Sequence, residues 1–145
     1  MNAQVRTMRM GITILLAAYW LALFVATHIP RVPQELTLPG GDKWQHFVAY
    51  AGLAFLLAFR QSFGALLTWK RAAAVVGIVA LYGVVDELSQ IPVGRHADLL
   101  DWLADVIGAS GGTALLAGLR GAISRLAPRQ RRCAASDPPG HAGSL

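Results

Sequence analysis

The 145-residue chain has a single cysteine, Cys133, which excludes an internal disulfide and any cysteine-rich metal cluster. Charge is scarce as well. Only 14% of the residues are charged, where a soluble domain of this size carries about a quarter. No phosphate-binding glycine loop, no Gly-x-Ser-x-Gly elbow and no His-Glu-x-x-His pair occurs. The local signatures of P-loop, serine-hydrolase and zinc-protease chemistry are therefore missing. Zinc-finger spacing and RNA-binding patterns are missing too, so the net charge of +5 does not point to nucleic acid. No repeat of solenoid length is present.

What the chain does have is long apolar runs. Hydrophobic residues make up 54% of it, blocked together rather than spread at a helical or strand period. Four blocks read as membrane-spanning helices. The first covers about Met10–Ile29, after Arg6 and Arg9 and before Pro30. A signal peptide also starts basic and turns apolar, but this run is longer than a usual signal core and no clear Ala-x-Ala site follows. Pro30, Pro33, Pro39, Gly40 and Gly41 then end one helix and delay the next. The second block runs from Asp42 to about Phe59. A linker with Arg60, Lys70 and Arg71 follows, its apolar stretch Phe63–Trp69 placed in the membrane interface. The third block covers about Ala72–Ile91 and the fourth about Asp98–Leu119. The expected architecture is all-α: a four-helix transmembrane bundle in a single domain, 10–119, between a short N-terminus, 1–9, and a basic, disordered tail, 120–145.

Orientation follows from the basic residues. With four spans, ten of the thirteen lie on the side of the termini and three, Arg31, Lys43 and Arg95, on the other. Basic residues favour the cytoplasm, so both termini are placed inside a bacterial inner membrane crossed several times. The start of segment two, the end of segment three and the start of segment four then share the outer face.

That face holds most of the acid in the chain. Six of the eight acidic residues, Asp42, Asp86, Glu87, Asp98, Asp101 and Asp105, sit in or against hydrophobic segments. A charge at the bilayer centre costs at least about 2.5–3.5 kcal/mol, so such groups are rare unless paired or functional. Asp42, His46 and Tyr50 are four residues apart and share a helix face. His46 suits a general acid/base, a metal ligand or a donor to an anion; equally, Asp42 could cap the helix and His46 snorkel at the interface. Asp86 and Gln90 share a face, while Glu87 is rotated by about 100° from Asp86, so the two acids cannot meet one partner. Asp98, Asp101 and Asp105 form a stripe. Helix N-termini favour acids, which accounts for Asp98 and Asp101 but not for Asp105, two turns in. The short link from Pro92 to Ala97 delivers Arg95 to the acids, to neutralise them or to hold a phosphate or carboxylate. Gly108 and Gly112 allow close helix approach, within the bundle or to another copy as a homo-oligomer. His28, His96 and His141 have no spacing partner and read as incidental. The candidates for chemistry are His46, Asp86, Glu87 and Asp105; those for ligand binding are Asp42, Lys43, His46, Tyr50, Gln90, Arg95 and Asp101. No recognised spacing calls for a metal or cofactor.

Taken in order, Asp42-Lys43-x-x-His46-Phe47, Asp86-Glu87-x-x-Gln90, Gly94-Arg95, Asp101, Asp105 and Gly108 resemble the VanZ-like family of small bacterial polytopic membrane proteins. The resemblance covers about half of the chain, Asp42 to Gly112. It departs at Asp105, where Asn is common in the family, and at Ser89-Gln90, where His-Gln is frequent. The family takes its name from a member associated with resistance to the glycopeptide teicoplanin. The resemblance implies a role at the cell envelope, with a lipid, peptidoglycan precursor or glycopeptide as partner. A membrane-embedded hydrolase or transferase acting on such a substrate is the alternative.

Overall fold

The computed structural model describes residues 2–29, 41–64 and 66–126. The proline-rich loop from Pro30 to Gly40 and the expected tail beyond Leu126, including Cys133 and His141, lie outside that set, whereas residues 120–126, expected to be disordered, are helical. The described chain is all helical: α1 (Ala3–Thr27), α2 (Asp42–Gln61), α3 (Trp69–Gln90), a 3-10 turn (Ile91–Val93) and α4 (Leu99–Leu126). Three helices are long and apolar enough to cross a membrane, α1, α3 with its 3-10 turn, and α4. The surface agrees with a membrane protein. Ile14, Leu21, Leu81, Leu88, Ile107 and Leu115 all face outward, while carboxylates lie inside.

The helices overrun the apolar blocks that mark them. α1 begins seven residues before Met10 and α4 ends seven after Leu119, so the helical unit is Ala3–Leu126 rather than 10–119. Hydropathy marks the part that lipid must cover, and the helix continues into the polar interface. There the arginines find partners. Arg60 Nε donates to Thr13 Oγ1 at 2.7 Å, and Arg120 donates to the Ser62 carbonyl at 2.8 Å while lying over the Phe59 ring. α3 also starts before Ala72, at Trp69, because the Thr68 hydroxyl accepts from the Arg71 N–H and caps it. The stretch expected in the interface therefore already ends in helix.

α2 is the centre of the bundle. It packs against all three other helices, whereas α1 and α4 make no packing contact with one another among the described residues. Tyr50, Leu53, Ala54 and Ala58 are fully buried there against Val75 and Val79 of α3. This position explains why α2 is the least apolar of the four. Its neighbours, not lipid, cover His46 and Tyr50.

The α2–α4 approach is the closest in the fold. A Cβ added at Gly108 would run into the Phe47 carbonyl, and one at Gly112 into the Ala51 carbonyl. Both glycines thus serve packing inside the chain, the first of the two roles the sequence left open. α2 itself starts differently from the expected Asp42 cap. Gly41 takes the capping position with φ +77°, which an L side chain rarely adopts, and Asp42 is already helical.

Candidate functional site

The polar residues gather at the end of the bundle where α2 and α4 begin and α3 ends, in two connected groups. The first surrounds Asp86. Its carboxylate accepts from Tyr50 Oη at 3.1 Å, Gln90 Nε2 at 3.0 Å and Thr27 Oγ1 at 2.9 Å, with Tyr82 Oη at 3.5 Å. Asp86, Tyr50 and Gln90 are essentially inaccessible to solvent. Three close donors, from α1, α2 and α3, thus converge on one buried carboxylate. Next to it, His28 Nε2 lies 3.0 Å from Ser89 Oγ, and its Nδ1 lies 4.0 Å from Asp86 Oδ1. His28 is therefore not incidental: it joins α1 to α3.

The second group lies between α2, α3 and α4. His46 Nδ1 is 2.9 Å from Asp105 Oδ1, and Nε2 is 3.9 Å from Asp101 Oδ2. Glu87 turns away from Asp86, as the 100° rotation requires, and accepts the Asp98 backbone N–H at 2.8 Å. One oxygen of Glu87 and one of Asp105 are buried without a hydrogen-bond partner. Tyr50 connects the groups, its ring stacked with His46 on one side and Tyr82 on the other, at 6.1 and 5.9 Å between centroids. Trp102 ties α4 to α3 by donating to the Ala80 carbonyl at 3.0 Å.

The basic residues do meet acids, but not the pair on α3. Arg95 reaches neither Asp86 nor Glu87. It donates to the Thr27 carbonyl at 2.9 Å and lies 3.5 Å from Asp42. The turn that carries it, with Gly94 at φ +81°, points the guanidinium toward α1 and the start of α2. Lys43 takes Asp98 and Asp101, each at 2.7 Å. Asp98 also caps α4, accepting the Leu100 N–H at 2.8 Å. The Lys43 ammonium, and then the Leu100 N–H, hold the Asp98 carboxyl below the ordinary aspartate range. A lowered folded-state value contributes stability above the ordinary aspartate pKa of about 3.9 that is lost as pH falls through the lowered value. Melting of the detergent-solubilised protein between pH 5 and 2 should therefore fall less steeply for Asp98→Asn than for wild type. Equal slopes would show that the ion pair contributes nothing measurable.

Asp42, His46 and Arg95 line the mouth of a cavity of about 270 Å³ between α1 and α2. Its walls are Tyr19, Ala22, Leu23 and Ala26. Of the other expected ligand-binding residues, Tyr50 and Gln90 serve as donors to Asp86, and Lys43 and Asp101 are paired with one another. Thr27 and His28 escaped the sequence reading because their partners are 59 and 61 residues away. Tyr82 was legible in principle, since Asp86 lies four residues on along α3 and shares its face.

Chemically, the arrangement offers an imidazole between carboxylates for proton transfer or cation binding. It also offers a guanidinium at the mouth of an apolar cavity for an anion. No family model, curated protein or solved structure matches the chain.

Proposed function

We propose that the chain is a multi-pass protein of the bacterial inner membrane, with four spans and both termini in the cytoplasm, that binds an amphipathic component of the cell envelope at its outer face. The cavity between α1 and α2 carries this reading. An apolar wall beside Asp42, His46 and Arg95 suits a molecule with a lipid-like part and an anionic head. Two contacts engage Arg95, and a guanidinium has five N–H donors, which leaves some for a phosphate or carboxylate. The ten-to-three distribution of basic residues supports the orientation. α2 is counted as a span because its 20 residues reach about 30 Å and its polar face is covered by protein. The resemblance to the VanZ-like family supports the envelope setting and suggests the glycopeptide teicoplanin as the first challenge.

The test is expression in a bacterium lacking its own copy, challenged with teicoplanin, with membrane amounts of each variant matched. Wild type should raise tolerance, and Arg95→Ala should abolish the gain. Loss of a charge-assisted contact worth about 1.5–3 kcal/mol weakens binding about 10- to 150-fold. Arg95→Lys should recover only part, because it lacks the planar fork. Full tolerance from Arg95→Ala would remove the guanidinium from the site, and no wild-type effect would set the teicoplanin connection aside. The His46–Asp105 pair favours a second reading, a membrane-embedded hydrolase or transferase with His46 as acid/base. That reading requires turnover whose pH profile moves when His46 is changed.

A further inference from the structure

We propose that His46, Glu87 and Asp105 bind one divalent transition-metal cation. The three come from three helices, α2, α3 and α4, yet offer ligand atoms that all lie within 4.8 Å of one another. The separation already fits in part. A nitrogen and an oxygen each about 2.0–2.2 Å from a zinc ion sit roughly 3.0–3.4 Å apart. His46 Nδ1 and Asp105 Oδ1 are 2.9 Å apart.

Two further observations point to a ligand. Glu87 is 6% exposed and Asp105 0%, yet each keeps one buried oxygen with no hydrogen-bond partner. Buried acceptors are normally satisfied, because an unmet one costs about 1–3 kcal/mol. The unmet oxygen of Asp105 faces α3, where only a glycine leaves room for it. A Cβ at Gly83 would stand 3.0 Å from that oxygen and 3.2 Å from the Trp102 ring. Glu87 follows one turn later on the same face of α3. The second observation is charge. Among the described residues, no lysine or arginine pairs with Glu87 or Asp105. Lys43 is held by Asp98 and Asp101, and Arg95 by Asp42. Two carboxylates with a neutral imidazole are balanced by one dication, and burial makes that balance matter.

Asp42, His46 and Asp101 also lie close enough to share an ion. Asp42 is half exposed and paired with Arg95, and Asp101 is paired with Lys43, so neither has a free charge to give. The donor set of one imidazole and two carboxylates suits zinc, manganese or iron rather than a soft ion such as copper(I). The site shares His46 with the cavity of the envelope reading but does not depend on that reading, and its test does not use that activity.

The test uses the full chain, purified in detergent with any histidine tag removed and stripped with a chelator. Zn²⁺ is the probe, with bound metal read by mass spectrometry after equilibrium dialysis and thermal unfolding followed in parallel. Wild type should hold about one zinc per chain and melt at a higher temperature with zinc than without. Glu87→Gln and Asp105→Asn keep side-chain shape and remove charge. Each should weaken zinc binding at least about 100-fold, the upper end of what loss of an outer partner costs. Asp98→Asn, outside the triad, should bind as wild type. Helical wild-type protein that takes up no zinc would overturn the proposal. So would zinc kept by both neutral variants but lost in Asp42→Asn, which would move the ion to the outer triad.

Discussion

Gly112→Ala should destabilise the protein by about 1–3 kcal/mol, the usual cost of forcing one carbon into a filled interior. Elsewhere the same change in a helix is favourable by about 0.5–1 kcal/mol. The sign reverses because the added Cβ meets the Ala51 carbonyl, a backbone atom that cannot rotate away. Gly108→Ala should behave alike against Phe47. The neighbouring glycines are internal controls. Gly118 has nothing within 4 Å, and Gly111 meets only the Phe47 ring at 3.8 Å. Alanine at either should be neutral or stabilising. Thermal melts in one detergent across the four variants would show this pattern. Equal stability at Gly112 and Gly118 would mean that α2 and α4 are not in backbone contact.

Asp86→Ala should be still more damaging. It leaves the Tyr50 hydroxyl and the Gln90 amide buried without an acceptor, at about 1–3 kcal/mol for each stranded group. Thr27 loses less, because its hydroxyl also reaches the Phe24 carbonyl at 3.0 Å. In combination with Tyr50→Phe the losses should not add, since the second change removes a group the first has stranded. A double-mutant cycle read by unfolding in detergent gives the coupling. Strict additivity would dissociate Tyr50 from Asp86. Asp86→Asn, which keeps one accepting oxygen, should fall between wild type and Asp86→Ala.

The helices were legible because apolar blocks are long and local. Their ends were not, since a helix such as α1 continues through Arg9 and Arg6 where hydropathy stops. The divergence of Asp86 and Glu87 followed from helical rotation alone, and so did the weight on Asp105, too deep in α4 to serve its N-terminus. Partners across the bundle were a different matter. Nothing near Arg95 in sequence says that it turns to Thr27 and Asp42. Asp86 and Glu87 are nearer in sequence than Thr27, 68 residues away, yet the turn with left-handed Gly94 sends the side chain to the farther one. His28 looked isolated for the same reason, and the glycine pair on α4 could not announce which helix it meets.

The central place of α2 also bears on biogenesis. On the proposed four-span topology, the ribosome delivers α2 before α3 and α4. Those later helices supply Asp86 and Asp105, the partners of Tyr50 and His46. When α2 first leaves the insertion machinery, only α1 is there to cover it, through Tyr19 and the Ala49 carbonyl at 2.9 Å. The least apolar helix is therefore the one whose stable residence in lipid waits on chain not yet made. Assembly of the polar centre and completion of membrane insertion become the same event.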